Sequence, residues 1–280
     1  MGEARQRQQS IIAAHKPCIF CGGGRIATTE EHCPPRSLFK QRQWPHGYAF
    51  PACQSCNSGS SNEDLMVAFL AHLQPGADQE KMAKGRGLMR NAHRQFPELL
   101  QSMLDVSVVE ARASARRLGM RPGPGQTYRD IGIVKVTPEM NQYVAEFAAK
   151  LTKALYYKLT GQIFPSNGGI MFKWFTNAER MEHGSIPVLD AFAQLPTWST
   201  PKQRSGKDLR DQFDYLYSPV EDGKIHVFQV GFGVVFGFVT IASPEPGRLE
   251  EMETRLNERS EGGTSPFTFV STNRGSPGSG

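Results

Sequence analysis

Two pairs of cysteines with identical spacing constrain this chain more than any other feature. Two residues separate Cys18 from Cys21, and two separate Cys53 from Cys56. This spacing lets a tight turn direct both thiolates at one ion, and two such turns complete a tetrahedral four-sulfur shell that suits Zn²⁺ at about 2.3 Å. Because four ligands close the shell, we expect this zinc to be structural.

Residues of a different chemical character accompany the cysteines. Glu31 and His32 lie between the two pairs, and Asn57 directly follows the last cysteine. A carboxylate and an amide oxygen suit Mg²⁺ or Mn²⁺, and a neutral imidazole accepts a proton readily near neutral pH. The sequence therefore predicts a second, open centre, in which Glu31 and Asn57 hold a divalent cation and His32 activates a water molecule to attack a phosphodiester.

Residues 18–65 resemble the HNH, or ββα-metal, endonucleases, most closely the branch that combines CxxC, an acidic-His pair and CxxCN, as in nucleases of the endonuclease VII type. The resemblance implies that Glu31 is the acidic metal ligand, His32 the general base, Asn57 the second metal ligand, and the four cysteines the zinc ligands. It also favours DNA over RNA as the substrate. Glu30 is an alternative to Glu31, and Tyr48 departs from the family, many of whose members carry an asparagine there.

Four nearby residues have open roles. Arg36 is predicted either to contact the scissile phosphate through its bidentate fork or to pair with a surface acid. His46 is expected to assist at the phosphate or to be an exposed loop histidine. Cys33 is expected to be a small buried residue, with a reactive thiol as the alternative. His72, on the apolar side of its helix, is predicted to be structural.

Positive charge is concentrated in the N-terminal half. Residues 1–130 contain 17 Lys and Arg against 11 Asp and Glu, whereas residues 131–280 contain 15 against 16. The pattern indicates either a nucleic-acid-binding face or solvated helix surfaces. The basic residues recur through two segments: Lys81, Lys84, Arg86, Arg90 and Arg94, then Arg112, Arg116, Arg117 and Arg121.

The predicted fold class is α+β, with a zinc-stapled ββα-metal module followed by helices and an antiparallel β meander. We divide the chain into five parts: a polar leader over 1–14, the nuclease module over 15–75, a basic helical segment over 76–125, an α+β domain of unknown role over 126–245, and a polar, flexible tail over 246–280.

Local patterns predict the elements within these parts. Residues 26–28 and 47–51 are expected to form the hairpin strands, and 131–136 a further strand. Thr137 and Pro138 open an amphipathic helix that ends at Gly161. Residues 170–175 suggest a strand, residues 176–179 a capping box, and residues 212–241 the meander, in which Gly231, Gly233 and Gly237 mark bulges or close packing.

Other classes are disfavoured. No apolar run reaches the roughly 20 residues of a membrane span, and the N-terminus lacks the apolar core of a signal peptide. Five cysteines in this pattern fit a reducing compartment better than a disulfide framework, so the expected location is the cytoplasm and no membrane partner is expected.

The sequence thus predicts a metal-dependent HNH endonuclease that hydrolyses nucleic acid, with a structural Zn²⁺ and a catalytic Mg²⁺ or Mn²⁺. Two alternatives remain open. The first is a catalytically silent zinc module that binds nucleic acid or a protein. The second is a defence or toxin effector nuclease, activated by homo-oligomer assembly or by a protein partner.

Overall fold

The N-terminal part of the chain folds as a short hairpin followed by helices. The computed structural model describes residues 6, 9–12, 14–40, 43–72, 79–190, 192, 198–234, 236–259 and 266–270. Strands β1 (Thr29–His32) and β2 (Ala49–Ala52) are antiparallel, and β2 leads into helices α1 (Gln54–Ser58) and α2 (Ser61–Ala71). We call residues 14–40 and 43–72 the cysteine module.

The order of strand, strand and helix in the cysteine module agrees with the sequence, but the first strand lies later than predicted. Ile26 makes only an isolated bridge with Pro17, and the ladder begins at Thr29. The predicted strand over 26–28 is therefore wrong. The chain crosses that stretch in extended form because Ala27 donates its backbone N–H to Lys16 and Thr28 donates its own to Ala52.

Three helices follow: α3 (Gln79–Gln95), α4 (Pro97–Leu104) and α5 (Val108–Arg117). A capping box formed by Ser107 and Glu110 starts α5. The strand predicted over 131–136 is wrong, because a 3-10 turn covers Tyr128–Ile131 and the next residues pair with no strand. The β-branched residues in this stretch favour a strand, but the backbone bonds elsewhere, and Lys135 donates its N–H to the Met103 carbonyl.

Helix α6 (Pro138–Thr160) is the longest of the described elements and confirms the predicted boundaries. The Thr137 hydroxyl accepts the N–H of Met140 at 3.1 Å, Pro138 occupies the first turn, and Gly161 ends the helix in the left-handed conformation. Its apolar stripe is buried as predicted. The same helix contacts α2 and the sheet, so it connects the two halves of the chain.

A six-stranded antiparallel sheet forms the C-terminal half and contains the predicted meander. Its order is β4-β5-β6-β7-β3-β8, so β3 joins the meander at the β7 edge. The strands are β3 (Gly169–Thr176), β4 (Trp198–Ser199), β5 (Asp214–Val220), β6 (Ile225–Phe232), β7 (Phe236–Ser243) and β8 (Thr268–Val270). Helices α7 (Asn177–His183), α8 (Pro187–Asp190) and α9 (Arg248–Arg259) follow. Thr176 caps α7 by accepting the N–H of Ala178 rather than that of Glu179, so the cap is confirmed but the predicted capping box is not.

Both faces of the central strands are covered. Alternate residues of β6 and β7 enter two apolar clusters, as the period-two geometry of a strand requires. The larger cluster joins Phe228 of the sheet, Leu151 of α6 and Phe50 of the cysteine module, and the smaller one joins Ile241 to Leu249 of α9. One continuous core therefore links the cysteine module to the sheet.

The prediction of a flexible tail over 246–280 is wrong for two stretches. Helix α9 packs Leu249 against the sheet, and β8 pairs with β3 through Val270 opposite Ile170. The composition of this region is mostly polar, so it did not indicate that the helix is held to the sheet by an apolar residue such as Leu249. Residues 260–265 and 271–280 lie outside the described residues. Among the helices that are described, none is both long and apolar enough to cross a membrane.

Candidate functional site

The four cysteines of the two CxxC pairs converge on one point. Their sulfur atoms all lie within 4.8 Å of one another. Tetrahedral ligands at about 2.3 Å from an ion are about 3.8 Å apart, so the cluster can hold a metal ion such as zinc with small adjustments. Within the described residues it is the one cluster of potential metal ligands of this kind, and it consists of Cys18, Cys21, Cys53 and Cys56.

Local structure places these sulfurs. Cys18 and Cys21 lie in a turn that Gly23, two residues after Cys21, closes by donating its N–H to the Cys18 carbonyl at 3.0 Å. Gly22 has φ +67°, and a Cβ there would lie 2.6 Å from the backbone nitrogen of Ser166. Both the conformation and the close approach require glycine. On the other side, Cys53 follows β2 and is the N-cap of α1, and that helix carries Cys56.

The cysteine thiols also alter one another's pKa values. A hydrogen bond with Cys56 lowers the pKa of the Cys18 thiol to about 4, and the same hydrogen bond raises the pKa of Cys56. The cluster thus favours a thiolate at Cys18 surrounded by neighbouring thiol donors. Because the thiolate is the form that binds metal, the site is prepared for a cation.

His32 forms an exposed pair with Arg36. Arg36 Nη2 lies 2.7 Å from His32 Nε2, and the Arg36 guanidinium carbon lies 4.3 Å from the centre of the Trp44 ring. Because arginine only donates hydrogen bonds, Nε2 is the acceptor in this contact. The guanidinium is held between the imidazole and an aromatic face.

Glu31 has a different environment from its neighbour. Glu31 is 5% exposed, and its carboxylate forms an ion pair with the ammonium of Lys150 on α6. The same ammonium donates to Ser60 Oγ at 2.8 Å and lies 2.9 and 3.0 Å from the two carboxylate oxygens of Asp64. We call Glu31, Ser60, Asp64 and Lys150 the Lys150 cluster.

The Lys150 cluster keeps its ammonium charged. Burial alone lowers the pKa of Lys150, but the opposing charges of Asp64, Cys33 and Glu31 outweigh it and raise the pKa above its ordinary value. A lysine that is 5% exposed thus remains a cation among carboxylates.

Asn57 joins α1 to the hairpin. Its amide nitrogen donates to Thr29 Oγ1 at 3.1 Å and lies 3.5 Å from the Glu30 carbonyl oxygen. Thr29 and Glu31 are two residues apart and share one face of β1, whereas His32 projects to the other face. The structure therefore brings Asn57 to the Glu31 side of the strand and places His32 with Arg36 on the opposite side.

The remaining predicted residues have simple placements. Cys33 is completely buried, and the His72 ring bonds the Ala68 carbonyl within its own helix at 2.8 Å. His46 is exposed, and its backbone N–H donates to the Lys202 carbonyl. Glu30 is half-buried.

Tyr48, the departure from the family pattern, packs in an aromatic group. Its hydroxyl donates to Tyr215 at 3.3 Å, and its ring contacts those of Phe50 and Phe213. The sheet of the C-terminal half therefore helps to hold the hairpin.

Sequence reasoning missed the lysines of α6 that contact the cysteine module. Besides Lys150, buried Lys153 donates to the Phe20 carbonyl at 3.0 Å, and Lys158 donates to the Gly47 carbonyl at 3.2 Å. The sequence contains one signal of their burial, since Lys150 and Lys153 lie on either side of Leu151 within an apolar helix. Their partners are far away in the sequence, so only the fold identifies them.

Comparisons of the chain with protein-family models, with curated proteins and with solved structures found no match.

Proposed function

We propose that this chain hydrolyses phosphodiester bonds of nucleic acid on the exposed face of the hairpin, with His32 as the general base and Arg36 as the phosphate anchor. The observation that carries the proposal is the contact in which Nε2 of His32 accepts a hydrogen bond from Arg36. It joins a proton acceptor and a donor fork for a phosphate at one place, on a hairpin whose other end leads into the cysteine cluster.

The chemistry follows from this contact. A phosphate that enters takes the guanidinium fork of Arg36, which frees the Nε2 lone pair of His32 for a water molecule. His32 removes the water proton as the oxygen attacks phosphorus, and Arg36 stabilises the negative charge that develops. The bond to one bridging oxygen breaks, and the leaving oxygen takes a proton from the imidazolium or from solvent.

Helix α3 carries a basic row that suits a polyanion. Arg86, Arg90 and Arg94 are exposed and recur at intervals of four residues, which places them on one side of the helix. Such a row suits phosphates of the backbone without reading sequence. His46 is a further exposed candidate for a phosphate contact. DNA is favoured over RNA because of the resemblance to HNH nucleases.

A divalent cation at Glu31 and Asn57, as the resemblance implies, does not fit the arrangement of these residues. Mg²⁺ usually retains several water molecules, but Glu31 and Lys150 are each 5% exposed and Ser60 is fully buried. A divalent ion about 4 Å from the ammonium would also be repelled by about 8 kcal/mol at an effective dielectric constant near 20. No step of the proposed mechanism therefore passes through Mg²⁺ or Mn²⁺.

The test is a cleavage assay with plasmid, linear, single-stranded and branched DNA and with RNA, with and without added Mg²⁺ or Mn²⁺. We expect His32→Ala and Arg36→Ala each to lower the rate at least about 100-fold with zinc content unchanged. Arg36→Lys keeps the charge but loses the fork, so it should restore only part of the activity. His183→Ala, an exposed histidine on α7, is the matched control.

Activity that is unaffected by His32→Ala would overturn the assignment. Failure of the wild-type protein to cut any substrate would overturn the nuclease proposal itself.

The buried Glu31 favours one second candidate, a zinc module that binds nucleic acid without cutting it. A binding module needs no open metal centre, so the burial of Glu31 in the Lys150 cluster does not impair its function. Its expected signature is salt-dependent binding that weakens when Arg86, Arg90 and Arg94 are replaced by Gln, together with no cleavage in any metal.

A further inference from the structure

The ammonium of Lys150 lies against the carboxylate to which the HNH resemblance assigns a metal ion. We propose that Lys150 is the permanent cation of this carboxylate, and that the chain binds no divalent metal ion at Glu31 and Asn57. Lys150 would act as a positioning residue for the hairpin that carries His32. That positioning role rests on the proposed function, whereas the metal-binding statement does not.

The hydrogen-bonding capacity of the ammonium supports this proposal. An ammonium has three N–H donors, and Lys150 contacts three side chains, namely those of Glu31, Ser60 and Asp64. The donors are therefore matched by acceptors that belong to the protein. The side chain of Lys150 is 4% exposed, and that of Glu31 is 7% exposed. A hydrated ion has no access to this carboxylate without displacing the lysine.

The charges support it as well. Glu31 and Asp64 contribute two negative charges, and Lys150 compensates one of them. With the lysine present, a divalent cation would meet a cluster with one excess negative charge and an ammonium in contact with both carboxylates. With the lysine removed, the two carboxylates, the Ser60 hydroxyl and the nearby amide of Asn57 become a set of hard oxygen donors of the kind that Mn²⁺ prefers.

The position of Lys150 gives it a mechanical role. It lies on α6, whereas Glu31 is in β1 and Asp64 is in α2, so one side chain joins three elements. Glu31 and His32 are adjacent, and the anchored carboxylate therefore fixes the backbone from which the imidazole projects. A lysine can do this without solvent access, which a hydrated catalytic cation would need.

The experiment measures Mn²⁺ binding to the zinc-loaded, full-length protein by the loss of the free Mn²⁺ signal in electron paramagnetic resonance. We expect the wild type to bind no stoichiometric Mn²⁺ at this site and Glu31→Gln to leave binding unchanged. Lys150→Met should acquire one Mn²⁺ site at least about tenfold tighter than any in the wild type, and Lys150→Met combined with Glu31→Gln should lose it. Lys158→Met, which removes another α6 lysine that contacts the module, should acquire none.

One stoichiometric Mn²⁺ in the wild type, lost in Glu31→Gln, would overturn the proposal. A folded, zinc-loaded Lys150→Met that acquires no Mn²⁺ would do the same. If Lys150→Met does not fold, the comparison of the wild type with Glu31→Gln decides.

The positioning role has a separate readout in the imidazole NMR signals of His32. We expect them to shift in Lys150→Met and to return in Lys150→Arg, which keeps the positive charge. Unchanged signals in a folded Lys150→Met would overturn that role. A protein that neither cuts nucleic acid nor binds Mn²⁺ would refute the proposed nuclease while supporting the metal-binding statement. Cleavage that requires both Mn²⁺ and Glu31 would refute that statement.

Discussion

The cysteine module and the six-stranded sheet both pack on helix α6, but different interactions hold them. The sheet has long ladders between β5, β6, β7 and β3, and apolar residues cover both of its faces. The module has one four-residue ladder, a cluster of four thiols, and the contacts of three lysines from α6. The module shares the larger apolar core through residues such as Phe50, but its hairpin and cysteine turns depend in addition on a few polar contacts, whereas the sheet distributes its stability over long ladders.

Metal removal should produce the largest difference in stability between the module and the sheet. Structural zinc contributes on the order of 10 kcal/mol or more to small zinc-binding modules. We expect a chelator, or Cys56→Ser, to increase amide hydrogen exchange throughout residues 14–40 and 43–60, while β6 and β7 keep their protection. Cys33→Ser, which changes a buried thiol outside the cluster, should retain one zinc per chain. Equal loss of protection in both regions would contradict the comparison.

A cavity in the smaller apolar cluster, on the sheet face away from the cysteine module, should destabilise the sheet and leave the module unaffected. Ile241 is 1% exposed and packs in the smaller cluster, which contains no residue of the cysteine module. Ile241→Ala should lower the free energy of unfolding by about 3 kcal/mol, measured in urea, because it removes buried surface and leaves a cavity. Zinc content and the rate of zinc release should stay at wild-type values. Faster zinc release would show that the two regions are not independent in this way.

Lys153 tests the connection between the regions. Lys153→Met leaves the Phe20 carbonyl, between the first two cysteines, without this buried donor, at a cost of about 2 kcal/mol. We expect faster zinc transfer to a chromogenic chelator, because the first turn loosens while the sheet is unchanged. Lys173→Met, on β3 outside the module, serves as the control. The role of Lys153 is refuted if both variants release zinc at the same rate.

The smallest expected effect lies in the sheet and depends on pH. Burial raises the pKa of Asp214 from 3.8 to about 6, although Arg210 opposes the shift. Between these two pH values the folded state binds the proton more tightly than the unfolded state, so stability falls as pH rises from about 4 to 6.

Asp214→Asn removes this dependence, and we expect it to stabilise the protein at pH 7 by about 1 kcal/mol, since the group is partly solvated. The gain should vanish below pH 4 in thermal unfolding curves. A gain that is equal at pH 4 and pH 7 would exclude the carboxyl group as its cause.

Sequence patterns predicted those parts of the molecule that depend on local chemistry. The spacing of the cysteines predicted their convergence, the Thr137-Pro138 start and Gly161 end predicted α6, and alternation predicted the meander. The close-packing reading of Gly237 is also confirmed, because a Cβ there would lie 2.5 Å from the Val230 carbonyl oxygen.

Features that depend on distant partners were not predictable. Lys150 meets Glu31 and Asp64 across 119 and 86 residues of sequence. Its place in an apolar stretch of α6 is a local signal of burial, but that signal does not identify its partners. The insertion of β3 between β7 and β8 is likewise a long-range pairing. For the same reason the sequence suggested an open metal centre at Glu31, since the side chain that reaches this carboxylate belongs to another part of the chain.

The spacing of three lysines along helix α6 fixes the positions of three parts of the cysteine module. Lys150, Lys153 and Lys158 reach β1, the first cysteine turn and the loop before β2, and the outer two are separated by about 12 Å along the helix axis. A single residue inserted between Lys150 and Lys153 would rotate the following anchors by about 100° and disengage them together. The distance between anchors is therefore as strict a requirement as their charge. The module transplanted without this helix would lose the counter-ion of Glu31 and all three of these attachments.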